Sequence, residues 1–179
     1  STPQPKFTDF KPKFKEVDVL DGLQSVSDLN EDHPVKQYVI KRMIPEKYYS
    51  KLFLCNKFMA FVNKVKPNTF GHTKGEHPRL IIPFYDNQNK VFAFQGRAFG
   101  KEQPKYLTVK LDENKQKVYG LDTVNLQEHI HIVEGPIDSM FLKNCLAAAG
   151  ADLTLKVEPS NVTYIFDNEP RNKEIIKRM

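Results

Sequence analysis

Apolar positions are sparse up to residue 25, recur at helical spacing to about residue 65, and gather into strand-like blocks from Pro78 onward. The first stretch carries Pro3, Pro5 and Pro12 among Lys6, Lys11, Lys13 and Lys15. Proline removes backbone donors and lysine favours solvent, so residues 1–25 are expected to form an extended linker, with an edge strand through Phe10–Phe14 as the weaker alternative. In "NEDHPVKQYVIKRMI", Pro34 suits a first helical turn, and Val35, Tyr38, Val39 and Met43 share one face. A second helix is predicted from Pro45 to about Val65, with Tyr49, Leu52, Phe58 and Phe61 facing inward.

Beyond Pro78 the period shortens. "PRLIIPFYD" and "KVFAFQGRAF" are β-rich runs joined by "NQN", which reads as a hairpin, and "PKYLTVKL" supplies a further strand. A strand over 129–133 then leads into a helix from about Ile137 to Cys145. "CLAAAGADL" gives a short strand ending at Gly150, "NVTYIFDNEP" another, and a last helix opens at Pro170. This β-α-β order predicts a parallel sheet with crossover helices. The fold class is therefore α/β: an α+β lobe with a β-hairpin, followed by that parallel-sheet unit.

Composition narrows the field only a little. The chain has 179 residues, 40% of them hydrophobic, which is enough for a real core in one domain or two small lobes. No apolar run approaches the ~20 residues that span a bilayer, and no signal peptide is visible, so no membrane partner is expected. Cys55 and Cys145 stand far apart without a CxxC pair, which points to a reducing compartment, a cytoplasmic one, rather than a structural zinc site. A net charge of +5 and a pI near 9.1 favour a polyanionic partner weakly. The chain starts at Ser1 and stops at Met179 within an uncapped amphipathic stretch, so a fragment of a longer protein is expected.

The acids carry more information. Glu134 ends one predicted strand, and Asp167 and Glu169 end another. Open parallel sheets bind ligands at the carboxyl ends of their strands. Hard oxygen donors gathered there suit Mg²⁺ or Mn²⁺. Acids also serve as ordinary helix caps, and either pair alone would read that way. For Asp138, metal ligation, water orientation and helix capping all stay open. Gly135 is expected where the backbone turns sharply and leaves room for a phosphate. His129 and His131 alternate on one strand, as a zinc pair would, but no third ligand is evident and surface or packing histidines are the better reading. Upstream, Arg79, Arg97, Lys101 and Lys105 surround the hairpin and the next strand, where basic side chains can track phosphates or merely cover a solvated face.

The order of these segments resembles the catalytic core of TOPRIM-containing DNA primases of bacteria and phages. Arg79–Pro83, Gly96–Arg97, Pro104–Leu107, Tyr119–Gly120 and Glu134–Asp138 occur in the sequence expected of that core. The "EDHP…YV..R.IP" segment (Glu31–Pro45), "FQGRA", "VEGPIDS" and "DNEPR" are most similar to the primases of T-even-type tailed phages, and the resemblance runs from about Val26 to the end. It implies a linker (1–25), a basic lobe (26–126) and a partial TOPRIM domain (127–179). It also implies Glu134, Asp167 and Glu169 as Mg²⁺-binding acids, Asp138 as a supporting or catalytic acid, and Arg97 and Lys105 facing phosphates. The activity implied is RNA primer synthesis on single-stranded DNA from ribonucleoside triphosphates beside a replicative helicase, in host cytoplasm if phage-encoded. Asp167–Asn168–Glu169 departs from the commoner D-x-D by one longer arm. A zinc ribbon and a third acidic motif would lie outside this chain, so the fragment alone is expected to be weak or inactive. A TOPRIM nuclease or topoisomerase-like enzyme would use the same acids for strand cleavage, and a non-catalytic nucleic-acid-binding module is the other rival.

Overall fold

A computed structural model describes residues 18–150 and 161–166. Two sheets organise them. The first is antiparallel, in the order β1 (Gln24–Ser25), β2 (Phe53–Cys55), β3 (Arg79–Tyr85), β4 (Val91–Ala98), β5 (Tyr106–Lys110). The second is parallel, with β6 (Ile130–Val133) between β7 (Cys145–Ala147) and β8 (Val162–Tyr164). The hairpin read from "NQN" is present: Asp86 Oδ1 accepts from the backbone N–H groups of Gln88 and Lys90, and Asn89 takes a left-handed φ of 58°.

Period-2 alternation gives the antiparallel sheet two different faces. Ile81, Phe94 and Val109 face α2 (Phe58–Val65), which buries Phe58, Phe61 and Val62 against them. Leu54, Leu80 and Ile82 face the other way, onto α1 (Pro34–Lys41) and onto Ile137 and Met140 of the parallel unit. The antiparallel sheet is thus the middle layer. Phe84, Phe92 and Ala93 extend the contact toward Tyr119 and Leu121. Tyr119 exchanges backbone hydrogen bonds with Ala147 at 2.9 and 3.1 Å, tying the segment before β6 to β7. Gly120 follows with φ 95°, and a Cβ there would run into the Cys145 carbonyl, so only glycine suits this turn.

Several elements differ from the sequence-based expectation. Gln24 and Ser25, placed in a linker, pair with Leu54 and Phe53 as an edge strand, and Leu20 is buried beneath α2. Residues 1–17 lie outside the described residues. The long helix from Pro45 to Val65 is three pieces: a 3₁₀ segment (Glu46–Lys51), β2 and α2. Tyr49, Leu52, Phe58 and Phe61 are buried as expected, but pairing of Phe53–Cys55 with β3 interrupts the helix. Met43 is 79% exposed with φ 56°, because α1 ends at Lys41 and the chain reverses; Ile44 takes the core position instead. The helix after Gly135 is a single turn, α3 (Pro136–Ser139), closed by Ser139 Oγ donating to the Pro136 carbonyl at 2.6 Å. The helix predicted from Pro170 lies outside the described residues.

Candidate active site

Strand β6 is central and parallel to both neighbours, so its carboxyl end opens beside theirs. The chain leaves it through Glu134, half-buried, whose carbonyl accepts from Ala149 N–H at 3.0 Å. Pro136 then starts α3, pre-set for a first turn, and Asp138 follows as an exposed first-turn acid. Gly135 has φ −104°, an ordinary extended value, so no sharp turn requires a glycine here. A Cβ at this position would meet Asp138 Oδ2. Its small size therefore lets the Asp138 carboxylate lie close over residue 135.

Asp167 and Glu169 lie outside the described residues, and among those described no group of three or more His, Cys, Asp or Glu is placed to hold a metal. His129 accepts or donates through Nε2 with Thr163 Oγ1 at 2.8 Å, and His131 Nδ1 meets the Lys143 carbonyl at 3.0 Å. Their rings meet edge to face at 5.3 Å, with His129 exposed and His131 half-buried.

Opposite the acids stands the polar end of the antiparallel sheet. Gln95 and Arg97 alternate on β4, paired across β5 with Thr108 and Tyr106, so all four side chains share one face. Together with Glu134 and Asp138, the residues Gln95, Tyr106 and Thr108 line a cavity of about 330 Å³. Among the described residues no cysteine or histidine lines it. Gln95 is 5% exposed; its Nε2 donates to Thr108 Oγ1 at 3.2 Å, while Oε1 has no hydrogen-bond partner among the described residues. Sequence reasoning passed over Gln95. The signal was present: in "VFAFQGRA" two polar residues occupy alternate positions of a run that is otherwise apolar and small.

The basic residues divide into two kinds. Lys101 and Lys105 are exposed around the β4–β5 connection. Arg97 is buried between two phenol rings, donating through Nε to Tyr38 Oη at 2.6 Å and through Nη1 to Tyr106 Oη at 3.1 Å. Its guanidinium lies 5.4 and 5.0 Å from the two ring centroids, which fixes the Tyr106 ring at the cavity mouth. Burial pushes the Tyr38 phenol above its ordinary pKa, with Arg97 and Arg42 opposing that shift. Arg79 faces inward. It donates to the carbonyls of Gly96 (2.9 Å) and Pro104 (2.8 Å) and to His77 Nε2 (3.0 Å), and lies over the Phe58 ring. At 2% exposure it ties β3, β4 and the approach to β5 together, and burial draws its pKa below the ordinary arginine value.

No protein-family model matches the chain. The DNA primase of Enterobacteria phage T4 is 36% identical over 98% of this chain and 52% of its own length. The chain thus spans about half of that relative. The fold is shared with the zinc-binding and RNA polymerase domains of the Aquifex aeolicus primase (23% identity, TM-score 0.55, covering 80% of this chain and 44% of that one). It is also shared with the RNA polymerase domain of Mycobacterium tuberculosis primase (16% identity, TM-score 0.57, covering 82% and 63%).

Proposed function

We propose that this chain, homologous to DNA primases along nearly its whole length, carries the template-facing lobe and the acidic corner of such an enzyme. The activity is template-directed synthesis of short RNA primers on single-stranded DNA during phage DNA replication, a nucleotidyl transfer. In this reading residues 26–126 are the basic lobe and 127–179 part of a TOPRIM domain. The observation that carries it is the cavity in which Glu134 and Asp138 confront Gln95, Tyr106 and Thr108. Acids from a parallel sheet and a stacking ring from an antiparallel one face the same space.

The donor set fits a hard divalent cation, because the cavity offers oxygen ligands and neither sulfur nor imidazole. Glu134 would hold Mg²⁺ or Mn²⁺, joined by Asp167 and Glu169 as the resemblance implies, with Asp138 beside it orienting water or sharing the ion's charge. When bound, the cation supplies charge neutralisation at the transferred phosphate and a lowered pKa at the attacking 3′-hydroxyl. The chain's own side chains do the rest. Tyr106, 44% exposed, gives a nucleobase an aromatic face to stack on, and Arg97 holds that ring in place. Lys101 and Lys105 are free to follow the template backbone, contacting phosphate rather than base edges. Ribonucleoside triphosphates are the substrates and a replicative helicase the proposed partner. No helix among the described residues is long and apolar enough to cross a membrane.

The full-length protein, incubated with single-stranded DNA, Mg²⁺ and labelled ribonucleotides, should yield short RNA. Cut template without RNA would indicate the strand-cleaving class. Template binding with neither product would leave a binding module.

A further inference from the structure

A second cavity, of about 300 Å³, shares no lining residue with the acidic corner. It opens at the amino end of β7, beside Cys145, whereas Glu134 follows the carboxyl end of the parallel neighbour β6. The 3₁₀ segment brings Lys47, Tyr48 and Lys51 to it, β3 brings Tyr85, and Tyr119 and Asp122 close the wall. These side chains offer mainly donors. Among the described residues the hydroxyls of Tyr48, Tyr85 and Tyr119 have no hydrogen-bond partner, and none of the three is sealed from solvent, so they open on the cavity. Burial pushes the Tyr85 phenol up to about 12, with Asp122 and Asp18 adding to the shift. Burial also raises Tyr119, and Tyr48, Asp122 and Tyr85 stand close enough to raise it further. Both phenols therefore keep their protons at neutral pH and remain able to donate. Asp122 is the one carboxylate among the described lining residues; its side chain is 7% exposed, and Lys51 Nζ meets its charge at 2.8 Å. That pair cancels, which leaves the exposed ammoniums of Lys47 and Lys143 as the net charge at the rim. For Lys143 the paired carboxylate, Glu128, is 4.0 Å away.

We propose that this cavity is a second ligand site, one that takes a small molecule carrying a phosphoryl dianion, either a phosphate monoester or pyrophosphate. The Tyr85 and Tyr119 hydroxyls donate to its oxygens, and Lys47 and Lys143 answer its charge. A phosphoryl group brings nearly two negative charges at neutral pH and several strong acceptor oxygens, which matches two ammoniums and a set of unpaired donors. A volume of 300 Å³ stands at the lower end of small-molecule sites, so the ligand is short. The ammoniums of Lys47 and Lys51 lie 5.0 and 5.7 Å from the centroids of the Tyr48 and Tyr85 rings, so these rings hold cations rather than a stacked base. The site reads the phosphoryl group itself. It does not depend on the primer-synthesis reading above.

The test is isothermal titration calorimetry of the full-length protein with inorganic phosphate, pyrophosphate and AMP. EDTA is present, so that no divalent cation carries phosphate into the acidic corner. Wild type should bind pyrophosphate or AMP, and which of the two binds more tightly tells the diphosphate source from the ester. Tyr85→Phe combined with Tyr119→Phe removes two hydroxyls that no described protein group uses, so Tm should hold while the affinity falls about tenfold or more. Lys47→Gln combined with Lys143→Gln, at two exposed positions, should weaken binding and flatten its salt dependence. If the tyrosine pair loses stability, the lysine pair decides. Absence of binding at millimolar concentrations of all three titrants overturns the proposal. Affinity unchanged in both double variants also overturns it, because the anion then sits elsewhere. Displacement of bound pyrophosphate by a single-stranded oligonucleotide without terminal phosphates would hand the cavity to a nucleic-acid backbone and refute the small-ligand site.

Discussion

Replacing Arg79 by methionine separates a structural arginine from a phosphate-binding one. The guanidinium gives two well-formed hydrogen bonds to backbone carbonyls, Gly96 at 2.9 Å and Pro104 at 2.8 Å. Hydrogen bonds from a charged donor contribute about 1.5–3 kcal/mol each, so the pair is worth roughly 3–6 kcal/mol in gross terms. Removing a guanidinium from water offsets part of this, and methionine restores much of the alkyl packing over Phe58. The net expectation is a loss of about 3 kcal/mol, which for a chain of this size lowers Tm by roughly 6–12 °C. Urea unfolding and a thermal melt followed by circular dichroism measure it. Template binding, titrated against salt below the lower Tm, should keep the wild-type slope, because a residue 2% exposed has no phosphate to release. A variant as stable as wild type whose salt slope falls by roughly 0.7–1 would put Arg79 on the template and refute the staple.

Three further outcomes are expected. Gly96→Ala drives a Cβ into the Phe58 ring packed on β4, so it should cost about 1–3 kcal/mol in urea unfolding, and Phe58→Leu in the same chain should recover part of that loss. Asp86, bonded first to the Lys115 ammonium and then to two backbone N–H groups, has its pKa lowered to about 2 from 3.8. Its carboxylate therefore adds stability that is complete above about pH 4 and is lost as pH falls toward 2; Asp86→Asn should flatten the Tm profile across that window, and an unaltered profile would dismiss the pair. In the full-length protein Glu169→Gln should abolish primer synthesis while template binding persists, with partial rescue by excess Mn²⁺; near-normal synthesis would leave Glu169 as a helix cap worth at most ~1 kcal/mol.

Local pattern was enough wherever neighbours in sequence are neighbours in space. The "NQN" hairpin, the Pro34 helix start and the parallel trio around residue 130 were all legible, because turn chemistry, proline geometry and strand periodicity act over a few residues. The order of short motifs was legible too, and with it the homology to primases. Glu134 and Asp138 could be placed at a strand's carboxyl end from the same local grammar. Tertiary contacts decided the rest. Apolar residues at helical spacing from Pro45 to Val65 satisfy a helix or a broken path equally well, and only the pairing of Phe53–Cys55 with β3 chose the broken one. Arg79 and Arg97 look alike in sequence as basic residues on strands. Their burial depends on Phe58, Tyr38 and Tyr106, partners brought close by sheet register and helix packing rather than by adjacency. Gln95 is the extreme case. Its amide nitrogen is held from one strand over, its oxygen is buried without a partner among the described residues, and the acids that share its cavity come from another sheet, a situation that arises only once the two sheets meet.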